Sequence, residues 1–185
     1  MSKAIRNEYT DLGVEAFYAQ NGDKYENPHE AQVRLLVQKN AHKLDCSAVL
    51  DLACGSGEVT RALTDICIEN IIGCDPFTHR LYEKQTQKKC FTFTFDDFMR
   101  GKHLEVWKEK QFGVIICSFA LHLQPEKKLY SLVSALFFLT DTLVVITPHK
   151  RPMLETLENV KLIETDFELT ERGKKVFLKK YVMGQ

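Results

Sequence analysis

The sequence lacks an excess of charge of either sign, because its 185 residues carry 25 Lys and Arg against 25 Asp and Glu. No global field draws the chain onto a phosphate backbone or an anionic lipid surface, so nucleic acid is disfavoured as a partner. No stretch approaches the roughly eighteen consecutive apolar residues that a membrane-spanning helix needs. Met1, Ser2, Lys3 and Ala4 lead into Asn7, Glu8 and Asp11 without an apolar run, so no signal peptide is expected and the predicted compartment is the cytoplasm. The six cysteines, Cys46, Cys54, Cys67, Cys74, Cys90 and Cys117, have no CxxC spacing. Several lie in apolar runs, where a thiol acts as a small buried hydrophobe, so reduced structural cysteines and no metal site are expected. Internal repeats and low-complexity segments are also missing.

What is present suits one self-sufficient domain over 1–185, with an N-terminal lid and helix segment at 1–44 and a core at 45–185. Hydrophobic residues make up 44% and charged residues 27%, as in a soluble globular chain. From Val49 to Ile146 short apolar runs alternate with longer amphipathic ones, the signature of an α/β protein with a mainly parallel sheet covered on both faces. The runs 47–52, 70–74, 90–95, 112–119 and 142–147 are predicted strands. The segments 58–68, 78–88 and 126–139 carry apolar residues at helical spacing, such as Leu129, Leu132, Val133, Leu136 and Phe137. Beyond Thr147, the stretches 160–169 and 175–183 are β-branched and aromatic and are joined by Thr170-Glu171-Arg172-Gly173, which predicts a closing antiparallel hairpin. Asn27-Pro28-His29-Glu30 offers a helix N-cap, a proline at the first helical position and an acid three residues after the cap, predicting a helix from there to about His42.

The chemistry concentrates where the first strand ends, at Asp51-Leu52-Ala53-Cys54-Gly55-Ser56-Gly57. Ligands of open α/β sheets bind at the carboxyl ends of strands near the point where strand order reverses. Gly55 and Gly57 allow turn dihedrals closed to other residues and bring backbone close to a ligand. The second strand ends in Asp75-Pro76, and a carboxylate there accepts both hydroxyls of an adenosine ribose. A dinucleotide would want a third glycine or alanine and an uncharged helix start for its pyrophosphate, but Thr60 and Glu58 stand there instead.

These residues carry a family resemblance. The segment from Asp51 to Gly57 resembles the glycine-rich first motif of class I S-adenosylmethionine-dependent methyltransferases, with Ala53 where glycine is frequent. Asp75 resembles the family's ribose-binding acid. Phe95-Asp96-Asp97-Phe98 resembles its adenine-binding motif, with Asp97 the first choice of register and Asp96 the second. The stretch 112–122 is similar to the fourth motif and the loop after it, with Ser118 and Phe119 at the cofactor and Gly113 where an acid is common. Tyr18, Tyr25 and Asn27-Pro28-His29 resemble a segment that folds over the cofactor in small members. The resemblance implies a Rossmann-like fold whose seven-stranded sheet has the order 3-2-1-4-5-7-6, with S-adenosyl-L-methionine as cofactor.

Methyl transfer from a sulfonium is a direct displacement, so orientation of the acceptor supplies most of the rate, and a base matters only for a protonated acceptor. His122 and His149 are the candidate catalytic bases. Ser118-Phe119-Ala120-Leu121 replaces the Asn/Asp-Pro-Pro-Tyr of enzymes that methylate base amines, which disfavours that substrate class. The acceptor is expected to be a small molecule or a protein side chain. Pro148-His149-Lys150-Arg151-Pro152 is locally basic and would suit a small acidic metabolite or an acidic protein surface. The pairs beginning at Lys88, Lys127, Lys174 and Lys179 read as solvated faces. Two other function classes stay open at this level: a non-catalytic S-adenosylmethionine-binding or partner-binding subunit, and a nicotinamide-dependent oxidoreductase.

Overall fold

Successive residues of a strand point to opposite faces of a sheet, so the continuous apolar runs of the centre feed both faces, as the computed structural model, which describes residues 26–184, shows. Val49, Val114, Ile116, Val144 and Ile146 enter one apolar layer, whereas Leu50, Ile115, Cys117, Leu143 and Val145 enter the other. Each side chain of this size stabilises the fold by about 1.5–3 kcal/mol when fully buried.

The elements are, in chain order, α1 (Glu30–Asn40), β1 (Val49–Leu52), α2 (Glu58–Thr64), β2 (Ile71–Cys74), α3 (His79–Thr86), β3 (Cys90–Phe91), α4 (Phe95–Met99), β4 (Val114–Ser118), α5 (Glu126–Leu139), β5 (Thr142–Thr147), β6 (Val160–Leu169) and β7 (Lys175–Met183). The seven strands form one sheet in the order β3-β2-β1-β4-β5-β7-β6, as the resemblance implied. β1 to β5 run parallel, β7 pairs antiparallel with β5, and β6 pairs antiparallel with β7. Helices α1 and α2 supply Val33, Leu36, Val37, Val59 and Leu63 to one layer. Helix α5 supplies Leu129, Leu132, Val133 and Leu136 to the other, beside an aromatic group of Phe98, Trp107 and Phe112. No helix among the described residues is long and apolar enough to cross a membrane.

Three local readings are corrected. The third strand is only two residues long, because Thr94 caps a new helix: its hydroxyl accepts from Asp97 N at 3.0 Å while the Asp97 carboxylate accepts from Thr94 N at 3.0 Å. Helix α1 begins at Glu30 with His29 at its cap. Asn27 instead closes the turn before it, its side-chain oxygen accepting from His29 N at 2.9 Å. The lysine pairs are not simply solvated. Lys179 is 7% exposed and donates to the Lys150 carbonyl at 2.7 Å, and Lys128 reaches Asp96 at 2.8 Å. Gly113, where the related motif favours an acid, is demanded by packing: a Cβ there would stand 2.4 Å from the Asp45 carbonyl oxygen.

Candidate cofactor and acceptor site

A cavity of about 360 Å³ opens at the carboxyl ends of β1, β2 and β4, where β1 separates strands that lead to opposite edges of the sheet. Its walls include Ala53, Gly55, Asp75, Pro76, Asp96, Ser118 and Phe119 from the motifs above. Phe77, Phe93, Thr94, Phe95, Leu123, Gln124, Pro125 and Lys128 complete much of the remainder. Tyr18 and Tyr25 lie outside the described residues.

The glycine-rich turn is held open by strained backbone. Ala53 has φ of 53° and Gly55 of 56°, so an alanine takes the left-handed conformation where the related motif has glycine. The Ala53 N–H donates to the Cys74 carbonyl at 2.7 Å, which locks the turn onto the end of β2. Phe119 also has a left-handed φ of 56°, so both neighbouring strand ends turn sharply at the cavity.

Asp75 joins the two sides. One carboxylate oxygen accepts from Phe77 N at 2.8 Å and Thr78 N at 3.0 Å, and the other from Gly55 N at 3.3 Å. The long bond to Gly55 leaves that second oxygen with capacity for a ligand hydroxyl. Ser118 lines the cavity, and its Oγ is buried with no hydrogen-bond partner among the described residues.

Other candidate residues stand elsewhere. Asp97, the first choice of register, is absent from the cavity wall while Asp96 lines it. The Asp97 carboxylate is spent on Lys102, 2.6 Å away, and on the Thr94 cap; these bonds, Lys102 first, hold it well below the ordinary carboxylate range. Phe98 is buried in the aromatic group, its ring 4.9 Å from that of His103. Ser56 donates to the buried Glu58 at 2.9 Å. Gly57 has φ of 93° and its missing Cβ makes room for α3, since a methyl there would meet Thr86 Cγ2 at 2.5 Å.

Asp51 faces α2 rather than the cavity. Its carboxylate accepts from Thr60 N at 3.1 Å and Thr60 Oγ1 at 2.7 Å, and the Tyr82 hydroxyl sits 2.8 Å from that same Oγ1. Burial pushes its pKa from 3.8 up to about 8, with the Thr60 bonds opposing and nearby Glu58 reinforcing the shift. The folded chain thus holds a proton that the unfolded chain releases, and the sign follows. Stability declines as pH rises from about 4 to about 8, by about 1 kcal/mol per pH unit from this group. Asp51→Asn, neutral throughout, is expected to gain in melting temperature relative to the parent as pH rises through that window. A difference between the two melts that stays constant from pH 5 to 8 would refute this assignment.

Lys128 was legible only as a charge on a helix. Its Nζ pairs with Asp96 at 2.8 Å and both line the cavity. His29 was expected near the cofactor, and its ring stacks on Phe119 with centroids 5.2 Å apart. His122 and His149 follow the adjacent strands β4 and β5, and their rings meet at a centroid distance of 5.2 Å. Among the described residues no group of three or more His, Cys, Asp or Glu is gathered to hold a metal ion.

Comparison with known proteins agrees with this geometry. A family model described as a methyltransferase domain matches residues 49–140. An uncharacterized protein of Schizosaccharomyces pombe is 32% identical over 192 aligned positions, covering 82% of this chain and 77% of that protein. Among solved structures, magnesium protoporphyrin IX methyltransferase of Synechocystis PCC 6803 with bound S-adenosylmethionine is similar at a TM-score of 0.65 and 16% identity, over 97% of this chain and 95% of that one. The 1,6-didemethyltoxoflavin N1-methyltransferase of Burkholderia thailandensis, bound to its substrate and S-adenosylhomocysteine, is similar at a TM-score of 0.69 and 12% identity, over 100% and 93% of the two chains.

Proposed function

Because the chain belongs to the class I S-adenosylmethionine-dependent methyltransferase family, we propose that the cavity at the ends of β1, β2 and β4 binds the cofactor and that the acceptor enters beside Phe119, His122 and His149. The activity is methyl transfer from S-adenosylmethionine; the acceptor in this reading is a small molecule or a protein side chain. The observation that carries the site assignment is the junction of Gly55 and Asp75 at 3.3 Å, a bare backbone turn tied to a carboxylate beside a cavity of about 360 Å³.

When bound, the cofactor supplies a methyl group made electrophilic by its sulfonium. The chain's own residues do the positioning. Asp75 offers its second oxygen to ribose hydroxyls, and Asp96, steadied by Lys128, offers an acceptor to an adenine amine. Gly55 lets the amino-acid part approach the backbone. Holding donor and acceptor in line replaces a bimolecular encounter with an effectively unimolecular one, which supplies several kcal/mol of the barrier reduction. The cytoplasm is the proposed compartment, supported by six cysteines that have no CxxC spacing and lie mostly in apolar runs.

Calorimetry with S-adenosylmethionine, S-adenosylhomocysteine and NAD tests the cofactor assignment: the first two are expected to bind and NAD is not. A labelled-methyl assay against cell extract then reports the size of the acceptor. For a phenol or carbon-acid acceptor, His122→Gln or His149→Gln is expected to lower kcat by about 100-fold or more with little change in cofactor affinity. Full turnover from pH 6 to 8 in either variant removes that residue as the base.

A further inference from the structure

Cys54 follows β1 and Cys90 opens β3, with β2 between those strands in the sheet, yet the two sulfurs lie 3.6 Å apart. Neighbouring strands are spaced by about 4.8 Å, so residues on either side of β2 would ordinarily stand about 10 Å from each other. The turn after β1 closes that gap. Gly73, level with Cys90 on the intervening β2, presents no side chain, and both thiols pack with the Tyr82 ring in a buried cluster of their own. Cys74, one residue further on, belongs to the opposite layer and donates to the Phe93 carbonyl at 3.5 Å. The two sulfurs differ in how firmly they are held. Cys90 is anchored by its register with Gly73 and by its N–H, which donates to Glu83 Oε1 at 3.1 Å. Cys54 stands in the turn itself, between Ala53 and Gly55, which both line the cofactor cavity.

We propose that Cys54 and Cys90 are a site of reversible oxidation by a hydroperoxide, and that the disulfide they form pulls on the glycine turn and lowers affinity for the cofactor. The second half rests on the reading that the adjacent cavity holds S-adenosylmethionine. Cys90 is 9% exposed against 3% for Cys54, whose thiol burial also holds in its protonated form, so Cys90 meets the oxidant first. Its sulfur attacks one peroxide oxygen, the O–O bond breaks, and the departing hydroxide takes the Cys90 proton as water, leaving a sulfenic acid. The Cys54 sulfur then attacks that of Cys90, and the S–O bond breaks as a second water leaves with the Cys54 proton. Two thiols are oxidised and one peroxide is reduced to two waters. Bonding draws the sulfurs well inside their present contact distance. With Cys90 anchored, the movement falls on Cys54, and so on Ala53 and on the Gly55 N–H that reaches Asp75 at 3.3 Å. A transient, signal-dependent disulfide is also the kind that a reducing compartment permits.

The test treats the full chain with hydrogen peroxide, maps its peptides by mass spectrometry, and measures S-adenosylhomocysteine affinity by calorimetry before and after. The Cys54 and Cys90 peptides are expected to appear linked, with the loss of two hydrogens. Affinity is expected to fall by about tenfold or more, within the usual range of coupling between two sites, and to return with dithiothreitol. Cys90→Ala is expected to match the untreated parent both before and after peroxide, and Cys90→Ser supplies the same comparison in a variant closer in size to the parent. Cys67→Ala, which removes an exposed thiol, is expected to respond to peroxide as the parent does. Peptides that never link Cys54 to Cys90, or a linked chain that keeps its full affinity, overturn the proposal. A reduced chain that binds no S-adenosylhomocysteine overturns the cofactor reading and the control of affinity with it, while the linked peptides still report the oxidation by themselves.

Discussion

Asp75→Ala is expected to weaken S-adenosylmethionine binding by about 10- to 100-fold, which corresponds to losing one charge-assisted acceptor of about 1.5–3 kcal/mol. The side chain does two jobs from one position. Its first oxygen receives the Phe77 and Thr78 amides at 2.8 and 3.0 Å, fixing the turn into α3, and its second receives Gly55 N at 3.3 Å. Alanine removes the ribose acceptor and releases the glycine turn together. Asp75→Asn separates the two effects, because the amide oxygen keeps the turn into α3 while the amide nitrogen cannot accept a hydroxyl. Asparagine is therefore expected to lose cofactor affinity with a smaller drop in melting temperature than alanine. Calorimetry beside thermal melts reads both quantities, and unchanged affinity in the alanine variant would move the ribose site elsewhere.

Gly73→Ala is expected to destabilise the fold by about 3 kcal/mol, the upper part of the range for overpacking a tight core. An added Cβ would lie 2.5 Å from Tyr82 Cζ and 2.6 Å from Cε1, and the Tyr82 ring is fully buried with its hydroxyl held by Thr60. The ring has nowhere to go. A loss of this size lowers the melting temperature of a chain this long by roughly 6–12 °C. The same substitution in a Tyr82→Ala background is expected to cost under about 1 kcal/mol, since the obstructing atoms are gone. A double-mutant cycle by denaturant titration measures the difference, and additive losses would show that the clash is relieved by backbone movement instead.

Much of this architecture was legible because parallel strands buried on both faces write themselves as continuous apolar runs. β1, β4 and β5 and the closing hairpin are where the pattern put them. β3 was not legible in full, because Thr94 competes for the backbone of its second half and wins it for a helix cap. The same competition moves the site. Once Thr94 and Lys102 take the Asp97 carboxylate, Asp96 is the acid that faces the cavity, a choice between adjacent acids that no periodicity records. Gly57 shows the converse limit: a glycine in the right motif is there for the Tyr82 and Thr86 side chains of α3, whose identity as neighbours appears only in three dimensions. Lys128 looks like any surface lysine until the fold brings Asp96 to it.

Arg61 gives the first turn of α1 a mechanical meaning. Its guanidinium holds the Ser56 carbonyl of the glycine turn at 2.6 Å with one nitrogen and Glu30 at 2.6 Å with the other. The residue just before Glu30 is His29, seated on Phe119 at the opposite lip. Two consecutive residues thus grip both banks of the crevice, and a rigid tilt of that helix cannot loosen one bank while leaving the other in place.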